Sequence, residues 1–347
     1  MSQPNGDDAP SFTAVSGSAR QLFLLLRCLS FAPKAQVQIT KDGLRFTVEE
    51  ARVMQGLAFL DKSLFTSFSY ASSPVPDQDS SNINSSDDGD LQPSIFQISL
   101  PALLETLQIF GLENGPTNNG FRDRWSRDQN SFNSGVTGSL SRGGPSAPFD
   151  SRVLGLAGVC RLSYAGPGSP FCVVLEEGGV VTTCELVTYE PDLYDEIPLQ
   201  RDKLAQKIIM RANWLHDAIT ELSSTSPTRL SITVSPSAPY FALSASGPLG
   251  SATVEFSKDP ELLETFQVPR RAVNTYKFNL IKSASRAMAL ANKVSVRGDE
   301  QGVLSLQFMI EIEGGAVSFV DFRFAPLVPE EGDENGDEED EDEGEVD

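Results

Sequence analysis

The feature that most restricts how this 347-residue chain can fold is that it nearly repeats itself. Ala19, Leu22 and Leu29 find counterparts in Ala212, Leu215 and Leu222, 193 residues further on. Leu100 of "FQISL" matches Leu280 of "YKFNL" at an offset of 180. The turns Glu177-Gly178-Gly179 and Glu313-Gly314-Gly315 match at 136. The offset falls by 44 between the last two pairs, close to the 39 residues of a Gly-, Ser-, Asn- and Pro-rich stretch at 112–150. Such a chain reads as two copies of one domain, the first enlarged by inserts. The recurrence also settles the meaning of the adjacent carboxylates Glu176 and Glu177. Set between apolar runs, they belong to a strand–turn–strand in which Gly178, Gly179, Gly314 and Gly315 are the turn residues. No partner group that would tune either for acid–base work is apparent.

Each copy alternates a helix with a run of strands. The helix at 18–29 buries Leu22, Phe23, Leu25, Leu26 and Leu29 and carries Arg20 and Arg27 on another face. A second, at 101–110, begins with Pro101, whose missing N–H is harmless in a first turn. The third spans 211–222. The fourth, at 282–293, places Lys282, Arg286 and Lys293 on one stripe. Strands are predicted at 35–40 and 44–48 around the turn "KDG", and at 53–60, 64–70, 152–165, 170–177 and 179–187. In the second copy they fall at 228–235, 240–246, 250–256, 293–298, 302–312 and 315–324. The predicted class is α+β, with helices packed on one face of antiparallel sheet in each domain. The domains are expected at 12–188 and 201–329, joined by a connector at 189–200.

The net charge of −21 is unevenly placed. Residues 330–347 hold thirteen acidic groups and no basic one, and without them the chain stands at −8. That tail, the polar N-terminus 1–11 and the inserts 71–93 and 112–150 are expected to be disordered, since they offer little apolar surface to bury. The second insert mixes Arg122, Arg124, Arg127 and Arg142 with Phe121 and Trp125. It reads either as a solvated loop or as one that touches nucleic acid. No apolar run approaches the ~18–20 residues of a membrane span, and no membrane partner is expected. The N-terminus is read as neither a secretory signal nor a transit peptide. Cys28, Cys160, Cys172 and Cys184 lie in apolar or alternating stretches without a C-x-x-C pair, as buried thiols of a reducing compartment do. With His216 the only histidine, neither a metal site nor a cofactor is expected.

The basic residues of the first and fourth helices, with Lys203, Lys207 and Arg211 ahead of and at the start of the third, stand out on an otherwise acidic body. Such faces attract phosphates without reading bases. The duplicated organisation resembles the sliding-clamp family typified by proliferating cell nuclear antigen. The strings "ITKDGLRFTVEEARVMQGLAFL", "PFCVVLEEGGVVTTCEL", "SPSAPYFALSASG" and "GVLSLQFMIEIEGG" resemble the Rad-one family of subunits of the heterotrimeric DNA-damage checkpoint clamp, the nine-one-one complex. The likeness runs from about Phe12 to Pro329, outside the inserts and the tail.

The resemblance implies the DNA-clamp fold, in which crescent-shaped subunits close a ring around duplex DNA without sequence specificity. It implies Arg20, Arg27, Lys207, Arg211, Lys282, Arg286 and Lys293 as phosphate contacts on helices lining the hole. The second helix, with Glu105 and no basic residue, departs from that pattern. The resemblance further implies a client-peptide groove at the connector, formed by Val53, Met54, Leu193, Tyr194, Ile197, Ala325 and Pro326. Its implied partners are two other clamp-like subunits, a clamp loader, and repair and checkpoint clients in the nucleus. Two alternatives stand beside this non-catalytic reading, a homotrimeric replication clamp and a 3′–5′ exonuclease. An exonuclease would need carboxylates gathered around divalent metals, whereas the densest acidic cluster here is the tail.

Overall fold

The computed structural model describes residues 10–71, 93–109, 158–192, 195–312 and 315–328. The expectations for Leu193, Tyr194, Gly314, the insert 112–150, the tail 330–347, and nearly all of 1–11 and 71–93 fall outside these residues.

Amphipathic alternation dictates most of the strands. In β1 (Phe12–Ser16), β2 (Lys34–Thr40), β3 (Gly43–Glu50) and β4 (Met54–Asp61) every second residue is buried, as expected of strands with one face on a core. α1 (Ala19–Arg27) sits between β1 and β2, and the Ser18 hydroxyl caps its N-terminus by accepting from the Gln21 N–H. Then come β5 (Ser67–Tyr70), β6 (Ser94–Ser99), α2 (Leu100–Gln108), β7 (Val159–Tyr164), β8 (Phe171–Glu177) and β9 (Val180–Leu186). The order then repeats. β10 (Leu204–Arg211) leads into α3 (Ala212–Leu222). It is followed by β11 (Arg229–Val234), β12 (Phe241–Gly247), β13 (Gly250–Phe256), β14 (Leu263–Gln267) and β15 (Ala272–Lys277). α4 (Phe278–Ser283) and α5 (Ser285–Leu290) stand where α2 stood, and β16 (Lys293–Asp299), β17 (Leu304–Glu311) and β18 (Val317–Phe324) close the chain.

The repeat extends to the sheets. The order β5-β1-β7-β8-β9 in the first half recurs as β14-β10-β16-β17-β18 in the second. Likewise β4-β3-β2-β6 recurs as β13-β12-β11-β15. The halves join because β18 pairs antiparallel with β4, from Val320 opposite Ala58 to Phe324 opposite Met54, making one nine-stranded sheet. At the join Phe322 is fully buried and its ring lies near those of Phe31, Phe308 and Phe324. Gly56 makes room there, because a Cβ would come within 2.9 Å of both the Phe31 ring and Leu29 and force those side chains to shift. α1 packs on α2, and α3 on α5.

Three expectations are corrected. The predicted fourth helix is two short ones, broken at Ala284, and it ends at Leu290. Lys293, which the sequence placed both at the end of that helix and at the start of the strand 293–298, begins β16, paired with Arg211 and Met309 on its two flanks. The element starts equate Leu100 with Phe278, two residues before the Leu280 that sequence matching suggested. The two glycine turns also differ. Gly178 and Gly179, at φ +60° and +82°, form a two-residue turn between the paired Glu177 and Val180. At its counterpart the Ile312 N–H donates to the Ala316 carbonyl.

Candidate nucleic-acid and partner surfaces

The helices carry the first surface. Each buries its apolar side against the sheets, so its charged side is turned away from the core. Arg27, Lys282 and Arg286 are exposed and Arg20 is half-buried. The Arg27 guanidinium stands 5.6 Å from the Phe23 ring centre, a cation–π contact that leaves it facing solvent. Arg286 donates to the Ser30 hydroxyl, which itself donates to the Arg27 carbonyl at 2.8 Å. The second half's helix α5 therefore meets the end of α1, and Arg27 and Arg286 come together there. Beneath them burial pushes the Cys28 thiol up to about 12, against the opposing pull of Arg286 and Arg27. The flanking helices have another character. α2 exposes Glu105, and α3 exposes Trp214, Asp217 and Glu221, with His216 3.5 Å from the Asp217 carboxylate.

Three residues expected on basic helices lie elsewhere. Lys207 and Lys293 are on strands β10 and β16, and Arg211 is the residue before α3. Ile208, Met210, Val294 and Val296 occupy the core side of these strands, so Lys207 and Lys293 project from the opposite face of the sheet. The strand period sets the face of both.

The connector crosses the outer face and is held by both halves. Tyr189 and Gln97 exchange main-chain hydrogen bonds at 2.9 Å. The Gln55 side chain donates to the Asp195 carbonyl at 2.9 Å and accepts from the Ile197 N–H at 2.7 Å. Glu196 pairs with Arg45 at 2.6 Å and with Arg323 at 3.3 Å, and Arg323 also donates to the Ile197 carbonyl at 2.9 Å. The amide of Gln55 had given no signal of this role in the sequence, because its meaning depends on the connector lying over it. Of the expected groove residues, Val53 and Ala325 are joined by a 2.9 Å main-chain hydrogen bond and, like Pro326, are half-buried. Met54 is corrected: its side chain is wholly buried in the core, since alternation turns Gln55 outward and Met54 inward. Ile197, within the connector, is buried at 7% exposure.

The third surface is a pair of sheet edges. β9 and β13 end their sheets, and both show the same alternation of exposed and half-buried residues. Val180 and Val181 of β9 are 56% and 58% exposed. These strands hold the repeat positions that β18 and β4 occupy at the internal join.

Two halves of one topology, joined edge to edge, with a free edge at each end and the helices set against the sheets, define a subunit of the sliding-clamp class with the α+β DNA-clamp fold. The chain belongs to the family of repair proteins Rad1/Rec1/Rad17, whose model matches residues 11–310. It is 32% identical over 320 residues to the cell cycle checkpoint protein RAD1 of Homo sapiens, covering 92% of this chain and 93% of that protein. It is 34% identical to the DNA damage checkpoint control protein rad1 of Schizosaccharomyces pombe, covering 91% and 86%. A partial match, 29% identical over 202 residues, reaches the DNA repair exonuclease REC1 of Mycosarcoma maydis, covering 50% of this chain and 43% of that one.

Proposed function

We propose that this chain is a non-catalytic subunit of a heterotrimeric clamp that encircles DNA in the nucleus at sites of damage and recruits checkpoint and repair factors. The observation that carries this reading is the internal join. β18 and β4 make in one chain the contact that β9 and β13 leave open at its two ends, so each end calls for a neighbour's complementary edge. Arg20, Arg27, Lys282 and Arg286 are the phosphate contacts of the ring's inner wall, without base readout. Val53, Ala325 and Pro326 beside the connector form the floor on which client peptides dock. The domains are 12–188 and 201–329 with 189–200 between them. A clamp loader opens and closes the ring.

The relatives named as checkpoint proteins favour different neighbours over identical ones. Light scattering of the purified chain at micromolar concentration tests that point. The expected result is a monomer near 37.5 kDa. A stable trimer would make it a self-sufficient replication clamp. The name of the Mycosarcoma maydis relative keeps an exonuclease as the second reading. Among the described residues no three His, Cys, Asp or Glu side chains gather as a metal site would require. Divalent-metal-dependent nuclease activity that co-purifies with the chain through successive fractionations would overturn the non-catalytic assignment.

A further inference from the structure

The outer face of the second half holds a concave site of about 480 Å³ that the clamp reading leaves unused. Its walls bring together Arg201, Lys207, Lys293 and Arg297 with one carboxylate, Glu264, which is 2.6 Å from Lys293. The cations are arranged unfavourably for an empty surface. Lys207 stands directly opposite Arg297 across the β10–β16 ladder, and Arg211 directly opposite Lys293. Like charges facing each other on an antiparallel pair are destabilising. Arg297 is mostly buried, its Nη2 donates to the Ser305 hydroxyl at 3.0 Å, and its Nε has no hydrogen-bond partner. Burial, together with Arg201 and Arg323 nearby and against the pull of Asp321, lowers the affinity of this guanidinium for its proton. Lys293 is already paired with Glu264, and Arg297 lies 3.6 Å from the Asp321 carboxylate; a bound anion would offset what remains, the repulsion between Lys207 and Arg297.

The segment with the matching chemistry belongs to the same chain. Residues 330–347 carry thirteen carboxylates and no cation. They follow a strand that ends beside the site. β18 finishes at Phe324 opposite Leu304, Pro326 packs against Gly302 in the β16–β17 turn, and Arg297 lies one rung below, opposite Ser305. At ~3.3 Å per extended residue, the nineteen residues after Val328 reach ~60 Å, against ~20 Å for the length of β16. We propose that the groove of Arg201, Lys207, Arg297 and Lys293 is the docking site of the chain's own acidic C-terminal segment, 330–347. Occupied in this way, the outer face is withdrawn from phosphate backbones, and the basic helix face at the join is left as the attractive one.

Zero-length carbodiimide coupling of the full-length chain, read by peptide mass spectrometry, tests this. Cross-links from 330–347 are expected on Lys207 and Lys293, severalfold above those on Lys41, Lys62 and Lys282, and to fade in about 1 M salt, where the Debye length is ~3 Å. In an equal mixture of ¹⁴N- and ¹⁵N-labelled chains they should be isotopically pure. Mixed pairs would assign the groove to a second copy, and an even spread over the exposed lysines would overturn it outright. A second variant leaves the strands untouched: the tail's Glu and Asp become Gln and Asn. Acetylation of Lys207 and Lys293 by acetic anhydride should then accelerate severalfold relative to Lys282. Unchanged relative rates would also defeat the proposal.

Discussion

The β18–β4 join and the β9 and β13 edges occupy the same places in the repeat, yet one is finished and the others are open. At the join, five residue pairs are in register, Phe322 and Phe324 are buried, and Gly56 lets α1's end approach the sheet. At the edges Val180 and Val181 of β9 face solvent, and among the described residues no strand pairs with the outer side of β9 or β13. The difference teaches that duplication supplied a closed interface once and two half-interfaces besides. Stability resides at the first, and the proposed assembly at the second.

Breaking the join should have the largest effect. Phe322→Ala is expected to cost ~3–5 kcal/mol of unfolding free energy, as large-to-small changes in a packed core do, measured by denaturant titration. Breaking an edge should leave that titration within ~0.5 kcal/mol. Val180→Asp with Val181→Asp should instead weaken association with neighbouring subunits by ~2–3 kcal/mol, roughly 30- to 200-fold in Kd. Comparable unfolding losses from both variants would erase the distinction. On the helix face, Lys282→Glu with Arg286→Glu should reduce retention of the assembled ring on duplex DNA and flatten its salt dependence by about two units of slope. Glu105→Gln, on a flanking helix, should move neither.

Removing the α1 cap with Ser18→Ala should cost ~1 kcal/mol. A last effect is nil at neutral pH. Burial holds the Cys28 and Cys160 thiols up to about 12 from an ordinary 9.0. Raised folded values mean that the folded chain keeps protons the unfolded chain gives up. Stability is thus expected to be whole below about pH 9 and to fall as pH rises towards about 12. Thermal melts of the wild type and Cys160→Ala across that range would show the slope, which should be shallower in the variant.

Much of this architecture was legible because it is written in short periods. The hairpin between Thr40 and Gly43, the glycine turn after Glu177, and helices α1 and α3 follow from local pattern, with the helix starts read within one residue. β10 was missed because "LAQKIIMR" carries an apolar run that reads equally as the approach to a helix. Its strand character comes from β14 and β16 on either side. The same cause misplaced Lys207, whereas Lys293 was read both as the last residue of the fourth helix and as the first of the strand 293–298, and the strand is where it lies. Their charge was visible, but the face they occupy depends on pairing partners 60 to 90 residues away. Met54 and Gln55 illustrate the limit most sharply. They are adjacent, and only the sheet's pleat decides that one is core and the other holds the connector.

The manner in which that connector is held has a consequence for recognition. The main-chain groups of Tyr189, Asp195 and Ile197 already bond inward, to Gln97, Gln55 and Arg323. An incoming peptide cannot read the strap at these positions by lengthening a ladder along it. On the proposed docking role, selection among clients here would rest on the shape and polarity of side chains, so that one surface could serve many sequences and be retuned residue by residue.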